Sequence, residues 1–251
     1  MDNYKSEILH YQYTQGENFN FEIKYPIVYG MYEKHEELKN LFIETIVPNT
    51  VNKLSKLTEK NKIKEHGNTK VENVFTENYF NYNVFLLSEN SLMKDFLNFV
   101  IRGFKLYLSL INYDVDTEFG MQSWLNMLSQ HDYISRHNHQ NFLKPGSSMI
   151  MVSSHYDLDV PVDYKTSTIY YNPLSSIKNL ENNLYLEMLD ESEYIVNQNE
   201  NGKITFFPSV IDHQTSIVKT KNIRYTIAMD YIPYYYMQNS IREILRPIIK
   251  I

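Results

Sequence analysis

The chain has 251 residues, 43% of them hydrophobic and 22% charged, with a formal net charge of −6. Such a length and balance give a folded domain with a buried core and argue against disorder. The missing basic stretch argues against nucleic acid as a partner. The chain contains no cysteine, which excludes disulfides, thiolate metal sites and a thiol nucleophile. The N-terminal residues lack the apolar core of a signal peptide, and no apolar run is long enough to span a membrane. A soluble, cytoplasmic protein is the simplest expectation.

In chain order, Phe19 to Gly30 reads as a strand, with Pro26 suggesting a sheet edge. Leu38, Leu41, Phe42 and Ile46 set a helical period from Glu33 to about Leu57, which Pro48 breaks or restarts. Lys60 to Thr76 is polar and reads as a loop. Asn90 is a plausible N-cap for a second helix, whose apolar stripe runs from Leu92 to Ile111 and is read as core packing.

After Thr117 the period changes to two. Strands are expected at Met121–Ser129, Tyr133–His137, Ser147–Ser154, Ser167–Tyr171, Ile195–Asn197, Lys203–Phe207, Gln214–Lys219 and Arg224–Tyr231. Asn201-Gly202 signals a hairpin. Such a series predicts a sandwich, jelly roll or barrel. Met237 to Ile251 reads as a short amphipathic helix carrying Ile241, Ile244, Leu245 and Ile248, packed in cis or making a homodimer. The chain is thus expected to be one domain. Residues 1–116 form a largely helical support, 117–232 the β core and 233–251 the C-terminal helix.

Chemistry concentrates in the β region. His137 and His139 are two apart, so on a strand both imidazoles share one face. Such a pair suits Fe(II), Zn(II), Ni(II) or Cu(II), although the pattern also arises by chance. Phe207-Pro208-Ser209 leads to an isolated His213, and Arg224 shares a strand face with Thr226. An inward Arg is costly unless it meets an anion; an outward Arg, or one paired with Asp or Glu, is the alternative. His155-Tyr156-Asp157 offers a second His-x-Asp placement for the same site. His10, His35, His66 and His131 are read as surface or packing residues.

His213 lies 76 residues after His137, and Arg224 11 after His213. That order resembles the Fe(II)/2-oxoglutarate oxygenase superfamily, which uses His-x-Asp/Glu, a distal His and a basic residue a dozen or so positions later. The pattern is closest to a group of such oxygenases frequent in phages and marine bacteria. Ser123-Trp124-Leu125-Asn126, His137-Asn138-His139, Asn201-Gly202, Phe207-Pro208-Ser209, His213 and Arg224-Tyr225-Thr226 carry the resemblance. It implies a mainly β, α+β fold: a double-stranded β-helix (jelly roll, cupin-like) with N-terminal helices packed on the sheet. It implies Fe(II) on His137, His139 and His213, with 2-oxoglutarate chelating the metal. Arg224 would grip the far carboxylate, helped by Thr226, with Trp124 and Asn126 nearby. O2 and an unidentified primary substrate would complete the reaction, by default a hydroxylation releasing succinate and CO2.

Two departures stand out. His139 occupies the place of the usual carboxylate ligand, which implies either a three-histidine set or a His139 that does not bind and leaves a coordination position open, as in halogenating relatives. Ser147-Ser148-Met149-Ile150-Met151 replaces a Ser-Gly-x-Tyr-Tyr segment, removing a tyrosine contact to the cosubstrate. Two other readings stay open: a three-His cupin-type metal dioxygenase without 2-oxoglutarate, and a non-enzymatic jelly-roll binding or virion module. The segments Asp157 to Lys165 and Ser175 to Asp190 are candidate lids.

Overall fold

The computed structural model describes residues 4–15, 19–60, 75, 78–79, 81–139, 151–173, 194–237 and 247–251. Its strands are β1 (Tyr4–Gln15), β2 (Phe19–Met31), β3 (Phe119–Leu128), β4 (Val152–Asp159), β5 (Ser167–Tyr171), β6 (Tyr194–Gln198), β7 (Lys203–Pro208), β8 (His213–Thr215), β9 (Arg224–Pro233) and β10 (Ile249–Lys250). The helices are α1 (His35–Leu41), α2 (Val47–Lys60), α3 (Ser91–Leu110) and the single turn α4 (Tyr234–Met237). The fold is mainly β, with two antiparallel sheets: seven strands in the order β1-β2-β7-β4-β9-β3-β10, and three in the order β6-β5-β8.

Period-2 alternation divides the large sheet into two faces. On β9, Ile227, Met229 and Tyr231 join the main core against α3, where Phe104 stacks on Tyr231 at 4.2 Å and Phe96 meets Tyr156 at 4.6 Å. Asn90 caps α3, its side chain accepting from Leu92 N at 2.8 Å. The opposite face carries Arg224, Thr226 and Asp230 of β9 and turns toward the small sheet. Phe207 of β7 meets Tyr170 of β5 at 5.2 Å and His213 of β8 at 4.9 Å between the two sheets.

Several sequence expectations are corrected. The N-terminal segment is a twelve-residue edge strand, β1, paired along its whole length with β2. β2 is therefore not the edge; but β7 pairs it only from Val28 to Met31, so at Pro26 the strand has a partner on one side alone. The helix from His35 restarts near Pro48, as expected, rather than breaking. It passes through a π-helical turn at Phe42–Ile46, and α2 then restarts at Val47 with Pro48 in its first turn, where a missing N–H is tolerated.

Tyr133–His137 is not a regular strand. It runs antiparallel to residues 209–218 through sparse bonds, among them Thr215 N to Ile134 O and the reciprocal pair between His137 and His213. β4 begins at Val152 and runs on to Asp159, so Asp157 belongs to a strand rather than to a lid. Regular pairing of β8 stops at Thr215 instead of reaching Lys219. The chain end is not helical over 247–251: Ile249 and Lys250 add β10 to the free edge of β3 at Met121 and Gly120, burying apolar surface against the core. The rest of the expected C-terminal helix beyond Met237, the segment Ser175 to Asp190 and His66 lie outside the described residues. Among the described residues no helix is long and apolar enough to cross a membrane.

Asn201-Gly202 forms the expected turn between β6 and β7, with Gly202 at φ +85°. Asn201 Oδ1 accepts from Val160 N at 2.7 Å, tying this turn to the end of β4.

Candidate metal and cosubstrate site

The site is built between the two sheets. Residues 131–139 are held against 209–218, which places His137 directly beside His213. Arg136 and Asn138 point away from the histidines and both bond Asp212, at 2.8 and 2.7 Å, while Arg136 also lies over the Tyr171 ring. These contacts clamp the His-x-His segment to the strand bearing the distal histidine. His139 N donates to Ser209 O at 3.1 Å, fixing the segment's far end.

The three rings converge. One nitrogen from each of His137, His139 and His213 lies within 4.8 Å of the others. Each Nδ1 faces an oxygen: Ser135 O for His137 at 2.7 Å, Asp230 Oδ1 for His139 at 2.6 Å and Ile211 O for His213 at 3.0 Å. Backbone carbonyls and a carboxylate accept, so Nδ1 carries the proton and Nε2 keeps its lone pair. His137 Nε2 and His139 Nε2 stand 3.2 Å apart. Two neutral rings of this tautomer meet lone pair to lone pair, which a cation relieves. Burial, together with the neighbouring imidazoles, holds His137 down at about 4 and His213 well below the ordinary histidine value, so both are neutral. Neutral imidazoles are the form that binds a metal.

Arg224 lies on the same interior face. It is 1% exposed, and its Nε and Nη1 have no hydrogen-bond partner among the described residues. Its Nη2 is 3.9 Å from Asp157 Oδ1, too far for a hydrogen bond. Asp157 is occupied elsewhere, accepting from Asn199 Nδ2 and Glu200 N. Burial pushes Asp157 up to about 6 against the pull of Arg224. Thr226 pairs with Asn126 of β3 on one side and Asp157 of β4 on the other, so the three side chains share this face. Trp124 is half-buried, its ring 6.0 Å from that of His139 and 5.7 Å from Tyr79.

His155 is the ligand of the rival placement, and it does not join the three-histidine group. It sits on central strand β4, partly buried, with Nε2 3.5 Å from Thr168 Oγ1. Burial, then the charge of Arg224, lowers it to about 3. His155 thus lies where Arg224 and His213 both feel it. Its partner Asp157 binds the β6–β7 turn instead of approaching the imidazoles. His35 donates to or accepts from Tyr156 Oη at 2.7 Å in the core, and His10 meets Glu22 at 3.4 Å on the surface. His131 takes φ 73° at a turn. All three therefore stand apart from the site.

Sequence reasoning missed Asp230, Ser153 and the Arg136–Asp212 clamp. Asp230 Oδ1 accepts from both His139 Nδ1 and Ser153 Oγ, the latter at 2.8 Å. Its only local signal was a carboxylate on the interior face of β9, six positions beyond Arg224.

The comparisons bear on this geometry. Residues 122–230 match the family described as "Putative 2OG-Fe(II) oxygenase". No curated protein matches. Among solved structures, the non-haem monooxygenase ThoJ in its apo form shares 11% identity over 79% of this chain and 70% of that one, with a TM-score of 0.48. An oxidoreductase of the 2OG-Fe(II) oxygenase family from Burkholderia pseudomallei shares 13% identity over 56% of this chain and 58% of that one, with a TM-score of 0.39. HygX from Streptomyces hygroscopicus, solved with nickel, 2-oxoglutarate and hygromycin B, shares 12% identity over 51% and 61%, with a TM-score of 0.36. The chain spans less than two thirds of the length of the last two.

The residues present fit the cofactors that the family's description names. Three imidazole nitrogens lie within 4.8 Å of one another, and a buried guanidinium has two nitrogens without a hydrogen-bond partner among the described residues. The matched segment contains every one of these groups, so over residues 122–230 the chain is similar to a family whose description names Fe(II) and 2-oxoglutarate.

Proposed function

We propose that this chain is an Fe(II)- and 2-oxoglutarate-dependent dioxygenase that hydroxylates a primary substrate, releasing succinate and CO2. The observation that carries the reading is Arg224. A fully buried guanidinium with Nε and Nη1 unpartnered among the described residues is costly unless an anion completes it. A dicarboxylate anchored by its far end there, with its other end toward the metal, is such an anion. On this reading the two facing sheets are the core of a double-stranded β-helix.

His137, His139 and His213 hold the metal through Nε2, each ring oriented by the hydrogen bond at its Nδ1. Bound Fe(II) with 2-oxoglutarate supplies the oxidising power for O2-dependent chemistry. Arg224 binds the far carboxylate in a two-point fork, with the Thr226 hydroxyl beside it and Asn126 alongside. Trp124 and Tyr79 wall the side next to His139 and keep water from that flank. The clamp of Arg136 and Asn138 on Asp212 maintains the spacing of His137 and His213 while substrate enters.

The all-histidine set also suits a cupin-type dioxygenase that uses no 2-oxoglutarate. Such an enzyme has no use for the open nitrogens of Arg224, which is why the first reading ranks ahead. Equilibrium dialysis against Co(II), an air-stable stand-in for Fe(II), tests the site. One ion per chain in the wild type and none held by His137→Ala supports it; equal binding by the two proteins would refute it.

A further inference from the structure

The superfamily pattern puts a carboxylate on the metal two residues after the first histidine, and this chain has His139 there. A buried carboxylate nevertheless stands behind that ring. Asp230 is 6% exposed, and its Oδ1 lies 2.6 Å from His139 Nδ1 and 2.8 Å from Ser153 Oγ. The sheet register builds this contact: Asp230 pairs with Ser153 of β4 on one side and Gln122 of β3 on the other. The three histidines are not equivalent in this respect. His137 and His213 each donate to a neutral carbonyl two residues earlier in their own segment. His139 alone is oriented by a charged group, reached across the sandwich from a strand 91 residues away in sequence.

We propose that Asp230 is the displaced carboxylate of this metal centre, a positioning residue that acts through His139. The inference rests on the metal-site reading above. Accepting the Nδ1 proton fixes His139 in the tautomer whose Nε2 is free for the metal. The negative charge behind the ring raises the basicity of Nε2 and partly replaces the charge that three neutral ligands lack. Ser153 holds the same oxygen, so Asp230 cannot turn away. A purely structural Asp230–Ser153–His139 network would stabilise the fold equally with and without metal.

The test is Co(II) affinity by calorimetry, with metal-free thermal unfolding, in wild type, Asp230→Asn and His139→Ala. Asp230→Asn keeps the shape and removes the charge. The expected result is roughly 10–100-fold weaker Co(II) binding with little change in metal-free unfolding. His139→Ala should abolish tight Co(II) binding, as loss of any of the three nitrogens would, and serves as the metal-free control. Wild-type affinity in Asp230→Asn would overturn the proposal, as would a loss of metal-free stability large enough to account for the weaker binding. If Asp230→Asn does not fold, Ser153→Ala carries the test: loosening Asp230 should weaken Co(II) several-fold, and unchanged affinity would overturn the proposal. A wild-type protein that binds no Co(II) would remove the metal reading itself.

Discussion

Arg224 and Asp157 face each other across 3.9 Å, both buried, yet neither is the other's hydrogen-bond partner. Asp157 spends its oxygens on the backbone and side chain of the β6–β7 turn, at Asn199 and Glu200. The carboxylate therefore offsets part of the guanidinium's charge without occupying its donor fork. The β4–β9 register shifts between Asp157 and Asp159, just beyond this pair.

The open fork predicts the effect of truncating it. Arg224→Ala should weaken 2-oxoglutarate binding to the Co(II)-loaded protein by about 2–5 kcal/mol, the usual cost of losing one side of a buried charged contact. Arg224→Lys keeps the charge but not the two-point geometry, and should fall between. Calorimetric titration of the three proteins measures this; equal affinities would show that the anion binds elsewhere.

The histidine group predicts the stoichiometry of metal loss. His137→Ala and His213→Ala should each abolish tight Co(II) binding, because each removes one of three convergent nitrogens. His155→Ala should leave the stoichiometry at one ion per chain, since His155 lies outside the group. Dialysis followed by metal analysis distinguishes the two outcomes.

Burial of His155 predicts a pH dependence of stability. Its folded value is lowered to about 3, below that of an unfolded histidine, so the unfolded chain binds the proton first. Its contribution is complete above roughly pH 6.5 and is lost as pH falls toward the folded value. Asp157 works in the opposite sense: raised to about 6, it favours the folded state as pH falls through that value. His155→Gln removes the first effect and keeps the second. In metal-free urea unfolding it should lose about 1–3 kcal/mol less stability between pH 7 and 4.5 than the wild type. A steeper acid loss in the variant would contradict the assignment.

The hairpin turn predicts a backbone effect. Gly202 has φ +85°, and an added Cβ would lie 3.0 Å from the His35 ring. Gly202→Ala should cost about 1–3 kcal/mol, read as a lowered urea midpoint. A neutral substitution would mean that the turn relaxes freely.

Much of this site was legible in the sequence because its main parts are local. His137 and His139 share a face through a two-residue spacing. The step from His213 to Arg224 is eleven residues, and Asn201-Gly202 marks the hairpin between β6 and β7. Asp230 was not legible as a partner of His139, since only the register of β9 against β4 brings them together, 91 residues apart. The rival pair His155-Tyr156-Asp157 fits the motif better as letters, but β4 is a central strand whose register turns Asp157 toward the β6–β7 turn. Among the elements, β1 carries little apolar alternation because much of it is exposed at the sheet edge. The last residues look helical in isolation, yet Ile249 and Lys250 complete the open edge of β3.

The most direct test of the central claim is an anaerobic titration of Fe(II) and 2-oxoglutarate, followed through the weak visible charge-transfer band of the chelate, in wild type and Arg224→Ala. A band that forms in the wild type and weakens in the variant is the predicted result. Stoichiometric bound iron with no band would contradict the 2-oxoglutarate reading and leave a three-histidine enzyme of another kind.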